Sequence, residues 1–137
     1  MRGVAVRVKL KVRGRRAGST VETVALVNSG YEVEEPEILL PKPLAEYLNL
    51  PLTPPAARTL NYESPFGIYR LTFIAEAVDV ELLDVDAARE KVHCTISPYE
   101  REVLLSDQLS EALGITILNP GRGFWMHTND APNVSAR

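Results

Sequence analysis

The sequence contains one cysteine, Cys94, and only two histidines. A single cysteine excludes an internal disulfide, and so few sulfur and imidazole groups cannot supply the ligand set of a structural zinc site. No metal or cofactor is therefore expected. No segment approaches the about 18 consecutive apolar residues that a membrane-spanning helix needs, and the N-terminus is a charged alternating stretch rather than a signal peptide. The expected compartment is the cytoplasm, with no membrane partner.

What is present suits one globular unit. The 137 residues are 45% hydrophobic and 24% charged, enough apolar material to bury a core and too much for a disordered chain. A single domain is expected over residues 1–128, with 129–137 as a flexible C-terminal tail. The net charge of −3 is unevenly spread, because Arg2, Arg7, Lys9, Lys11, Arg13, Arg15 and Arg16 all precede the first acidic residue, Glu22. Such a basic strand can contact nucleic acid, or it can dress an exposed strand face and discourage sheet-to-sheet aggregation. The acidic balance of the rest of the chain favours the second reading.

From Val4 to Arg13 the residues alternate, with Val4, Val6, Val8, Leu10 and Val12 on one face and Arg7, Lys9, Lys11 and Arg13 on the other, as in a half-buried strand. Gly14 to Gly18 reads as a turn and Val21 to Val27 as the returning strand. Ile38-Leu39-Leu40 is a short extended segment. Pro41 and Pro43 then open a helix whose apolar face carries Leu44, Tyr47 and Leu48, and Asn49 with Pro51 ends it. Residues 51–57 read as loop. Arg58 to Leu83 reads as two strands joined by a long hairpin with its tip near Glu63 to Gly67. Strands are expected at Val92 to Ile96 and Glu102 to Leu105. Ser106 then caps a helix with Leu109, Ala112 and Leu113 inward, ended by Gly114. Ile115 to Leu118 and, after the turn Gly121-Arg122-Gly123, Phe124-Trp125-Met126 are further strands.

One internal echo stands out. Leu44-Ala45-Glu46-Tyr47-Leu48-Asn49-Leu50 resembles Leu109-Ser110-Glu111-Ala112-Leu113-Gly114-Ile115, and each follows a short apolar strand. The pattern suggests two related halves.

Ala25-Leu26-Val27-Asn28-Ser29-Gly30 resembles the hydrophobic-hydrophobic-Asp-Thr/Ser-Gly signature of retropepsin-like aspartic peptidases, with Asn28 where that family carries its catalytic aspartate. Leu40-Pro41 and the helix after it are similar to the family's segment beyond the active-site turn. Leu104-Leu105-Ser106 is similar to its paired aliphatics and glycine, with Ser106 in place of the glycine, and Gly123-Phe124-Trp125 resembles its last short strand. Val27-Asn28-Ser29-Gly30-Tyr31-Glu32 and Gly121-Arg122-Gly123-Phe124-Trp125 further resemble an archaeal-type branch of this fold in which the asparagine is native.

The resemblance implies a mostly-β protein with the closed β-barrel of the acid protease fold, two short helices and a flap hairpin. It also implies a homodimer, since one chain offers one turn and half a cleft. In the family, the two subunits' aspartates share a proton, and one acts as base while the other acts as acid on a water. A carboxamide cannot exchange protons in this way. The expected protein is thus catalytically degenerate and holds a peptide or another protein. Ser29 would tie the two turns together, and Gly30 would permit their tight backbone. Tyr31 stands where a small residue is usual. The cleft and flap positions implied are Tyr31, Asn61, Tyr62, Glu63, Phe66 and Gly67.

Two other functions compete. Glu32, Glu34, Glu35 and Glu37 form an acidic cluster beside the signature turn. They are read as a solvated loop, although paired carboxylates there could make an active peptidase that bypasses residue 28. The basic first strand could serve a small nucleic-acid-binding barrel through Arg7, Lys9 and Lys11. His93 and Cys94 are neighbours in a strand, so they face opposite ways, with Cys94 in the core and His93 exposed. Trp125 reads as a core or interface aromatic. Asn133-Val134-Ser135 matches a glycosylation acceptor, with no secretory signal to give it use.

Overall fold

In the computed structural model, which describes residues 6–28, 30–119, 124–127 and 132–134, the alternating first segment forms β1, Arg7–Gly14. Val8, Leu10 and Val12 are buried, while Lys9 and Arg13 are exposed. The expected beginning of this strand at Val4 and the turn Gly121-Arg122-Gly123 lie outside the described residues. The chain reverses through a turn in which the Gly18 N–H donates to Gly14 O at 2.8 Å, and Gly18 takes φ 78°, a conformation that favours glycine. It returns as β2, Thr20–Val27, antiparallel to β1 with Val12 opposite Val21.

The remaining elements are β3, Glu37–Pro41; α1, Lys42–Tyr47; β4, Ala57–Ser64; β5, Gly67–Leu82; β6, Ala88–Ser97; β7, Val103–Leu105; α2, Asp107–Ala112; β8, Ile115–Asn119; β9, Phe124–His127; and β10, Pro132–Val134. Among the described residues strand predominates, and there are two short helices. The main sheet runs β1-β2-β7-β3-β6-β5-β4, and β1 also pairs with β5. That extra pairing closes six strands into a barrel and leaves β4 outside the ring, on β5 alone. The mostly-β closed barrel with two short helices is therefore as expected at this level.

β7 lies between β2 and β3, parallel to the first and antiparallel to the second. Val103 and Leu105 point into the core from this position, opposite Ala25, Val27 and Ile38. Ile38, Leu40, Cys94 and Ile96 fill the same interior from β3 and β6. Each buried valine, leucine or isoleucine among them contributes about 1.5–3 kcal/mol by leaving water. Burial of Cys94 first, and the negative charge of Glu37 second, push its thiol well above the ordinary range.

The two echoed segments are built alike. Each helix follows a strand of the adjacent pair β3 and β7, and each gives way to a residue with positive φ, Asn49 at 55° or Gly114 at 74°. A buried aliphatic, Leu50 or Ile115, comes next. Their starts differ, since Ser106 Oγ accepts the Leu109 N–H at 3.1 Å whereas Pro41 gives no side-chain cap. The inward stripes also differ from expectation. Tyr47 is 65% exposed because the buried line of α1 runs through Ala45 and Leu48. In α2, Leu109 and Leu113 are buried as expected, but Ser110 turns inward and Ala112 outward.

β8, β9 and β10 make a second, three-stranded sheet. Part of the segment expected to be a flexible tail thus pairs with β9, Asn133 opposite Trp125. Trp125 is buried, and its indole N–H has no hydrogen-bond partner among the described residues. Among those residues no helix is long and apolar enough to cross a membrane.

Candidate functional site

β2 delivers the signature turn. Val27 is paired with Leu105, and the next residue, Asn28, donates its backbone N–H to Leu105 O at 3.3 Å. The side chain then folds back, because Asn28 Oδ1 accepts the Gly30 N–H at 3.0 Å while Asn28 O accepts the Tyr31 N–H at 3.0 Å. Asparagine and aspartate both favour such turns, since the side-chain oxygen mimics a backbone acceptor. Ser29 lies outside the described residues. Beyond the turn, Tyr31 O accepts the Asp107 N–H at 2.9 Å and Asp107 Oδ1 accepts the Val33 N–H at 3.1 Å, which laces the segment to the start of α2.

Beneath the turn is a polar cluster that no single stretch of chain contains. The Tyr31 hydroxyl donates to Glu37 Oε2, and Thr95 Oγ1 donates to the same oxygen at 3.0 Å. The Glu37 N–H donates to Ser106 Oγ at 3.0 Å, and the Ser106 N–H donates back to Glu37 O at 3.1 Å. Burial, followed by the hydrogen bond and charge of Glu37, raises the phenol of Tyr31 far above its ordinary pKa. Tyr31 is thus a neutral donor, and it holds Glu37 in one orientation.

Strand registry explains why these groups meet. Leu39 is opposite Thr95 and Leu104, and Phe73 is opposite Thr95, so Glu37, Leu39, Thr95, Leu104 and Leu71 share the face turned away from the core. With Gly30, Tyr31, Glu32, Val33 and Tyr62 they line a groove of about 330 Å³. A larger cleft of about 690 Å³, between β2, α1 and residues 98–103, shares no residue with the signature turn.

Of the positions expected to form cleft and flap, Tyr31 and Tyr62 come together at this groove, where Gly30 of the signature turn joins them. Tyr62 sits on β4 opposite Tyr69, on the same face as Leu71. Asn61 and Glu63 alternate to the other face, with Arg70 and Ile68 as partners. Phe66, 90% exposed, and Gly67, with φ 133°, form the hairpin tip away from the groove lining.

Glu37 was expected in a solvated acidic loop, yet it begins β3 and is partly buried, while Glu32, Glu34 and Glu35 remain exposed. The signal was the alternation Glu37-Ile38-Leu39-Leu40, in which Ile38 and Leu40 take the core and Glu37 and Leu39 the opposite face. Thr95 carried no comparable signal, because only the pairing of β3 with β6 brings it near residue 31.

His93, expected to be exposed, is half-buried against the Phe73 ring. Its Nδ1 accepts the Glu76 N–H at 3.0 Å, so the ring proton sits on Nε2, which contacts Glu35 Oε2. Glu76 has φ 49° at an irregularity between β5 and β6, and this bond fixes it there. Cys94 faces the core, on the opposite side of the strand. No protein-family model matches the chain, and no curated protein matches it at a significant level.

Proposed function

We propose that this chain is a catalytically degenerate, retropepsin-like module that works as a homodimer and holds a peptide or protein segment in the groove beside Asn28. The reading rests on the Asn28 turn. It lies at the end of β2, it is tied to Leu105 of the intervening β7, and its following residues line a groove reached by Tyr62 of the β4–β5 hairpin. A turn at the end of one inner strand, with a second strand threaded between it and β3, is an arrangement that supports the family resemblance. The carboxamide at residue 28 can hydrogen-bond a water or a peptide carbonyl, but it cannot take up a proton as a shared-proton carboxylate pair does. The test is to incubate the protein and its Asn28→Asp variant with a peptide library from acid to neutral pH, and to measure their mass by sedimentation. Dimers in both, with cleavage only by the aspartate variant, are expected. A monomeric protein that retains no peptide would sink the reading.

An active peptidase that uses other carboxylates is a second reading, and one observation favours it: Glu32 and Glu37 both line the groove. Cleavage by the unmodified protein that survives Asn28→Ala but not Glu37→Gln would establish it. Nucleic-acid binding through β1 has weaker support. Arg7 pairs with Glu102 at 2.9 Å, Arg13 and Arg15 pair with Asp79 at 3.6 and 3.3 Å, and Lys11 lies between Glu22 and Glu81 in register. Acidic neighbours offset the charge that a phosphate backbone would need.

A further inference from the structure

We infer that the groove beside the Asn28 turn is selective for a peptide segment carrying a lysine or arginine side chain, which is received by Glu37 and flanked by Tyr31 and Tyr62. This rests on the reading of the groove as a peptide site and adds the chemistry of its occupant. Charge complementarity points to this occupant. Among the described residues, Glu32 and Glu37 are the ionisable carboxyl groups of the lining, and no described lysine, arginine or histidine lines it. Glu32 is exposed at the rim, whereas Glu37 is partly buried on the floor. A partly buried carboxylate loses solvation and is stabilised by every donor it can gather.

Among the described residues its two side-chain donors, Tyr31 and Thr95, both act on Oε2. That leaves Oε1 as the oxygen to receive a third donor, and a cation is the donor that a carboxylate binds most strongly. The remaining lining suits the rest of such a side chain. Leu39, Leu71, Leu104 and Val33 offer apolar contact to a long methylene stem, and the rings of Tyr31 and Tyr62 belong to the class of groups that attract a cation to their faces. An acidic side chain would meet only repulsion there, and a purely apolar one would leave Glu37 without its partner.

The experiment measures fluorescence anisotropy with the full chain and a set of labelled peptides that differ at one central residue: arginine, lysine, citrulline, norleucine or glutamate. Citrulline keeps the shape of arginine and removes its charge, so this pair isolates the Glu37 interaction. The arginine and lysine peptides should bind roughly tenfold tighter than the citrulline and norleucine peptides, as a charged hydrogen bond predicts. The preference should shrink with added salt and vanish in Glu37→Gln, whose fold is checked by its thermal transition. Should that variant fail to fold, Glu32→Gln, at the exposed rim, should still reduce the preference two- to threefold. Peptides that bind equally whatever their central charge would overturn this inference and leave the peptide site standing. The absence of binding by any peptide would overturn both.

Discussion

The phenol of Tyr31 and the hydroxyl of Thr95 donate to one and the same oxygen, Glu37 Oε2, so residues from three separate parts of the chain meet at a single acceptor. Tyr31→Phe removes one of the two donors and leaves the partly buried carboxylate under-satisfied. The expected cost is about 1–2 kcal/mol of folding stability, read from urea unfolding at neutral pH. A variant as stable as the parent would show that water replaces the phenol at no cost.

The same phenol gives a pH dependence whose sign follows from its shift. A tyrosine in the unfolded chain ionises near pH 10, whereas burial and the neighbouring Glu37 hold Tyr31 protonated in the fold. Its contribution is therefore complete below about pH 10 and is lost as the pH rises beyond that value. Unfolding midpoints should fall more steeply above pH 10 in the parent than in Tyr31→Phe, with the two curves parallel at neutral pH. Parallel curves throughout would contradict the raised phenol.

Cys94 follows the same logic at lower pH. An unfolded thiol ionises near pH 8.5, and burial prevents this in the barrel, so stability from Cys94 diminishes as the pH climbs above that value. The folded protein should not react with a thiol reagent such as Ellman's reagent until the core opens. Labelling at pH 8 should therefore accelerate with urea in step with unfolding, and rapid labelling in its absence would show that β6 opens locally.

Ser106 holds two elements at once. Its Oγ accepts the Glu37 N–H and the Leu109 N–H, and these bonds tie the start of β3 to the start of α2. Ser106→Ala should cost about 1–2 kcal/mol, the value of a lost helix cap with a second bond. Amide exchange should quicken at Glu37 and Leu109 and stay unchanged in α1. A uniform loss of protection would mean that the substitution weakens the whole barrel instead.

Residue 28 can be tested through assembly as well as activity. Asn28→Asp retains the side-chain oxygen that accepts from Gly30, so each turn should keep its shape. If two such turns face each other across a dimer axis, their carboxylates must share a proton. The dimer of this variant should then weaken as the pH rises from 4 to 7, while the parent shows no such trend over that range. Identical pH profiles, measured by sedimentation, would separate the turn from any dimer axis.

How much of this could be read in advance differs from residue to residue. Val8, Leu10 and Val12 alternate with charged neighbours, and a period of two leaves them one possible face once a core exists. Ser106 before an acidic first turn announced its cap, and Asn49 and Gly114 announced the positive φ that ends each helix. Glu37 reads as loop in the sequence because it follows three glutamates and a proline, and local composition outweighs the two-residue rhythm that begins there. Tyr47 and Ala112 read as inward although both are exposed, because helices of six residues have too little length for periodicity to define a face.

By itself, then, the order of residues determined which segments extend, which coil, where they stop and that position 28 bears no acid. Those are properties of steric preference and spacing, which act between near neighbours along the chain. Only the tertiary structure decided that β7 enters between β2 and β3, that β1 closes on β5, and that Tyr31, Glu37, Thr95 and Ser106 converge. Alternation tells a strand which side to bury but not which strand lies beside it. That choice belongs to the packing of the whole barrel.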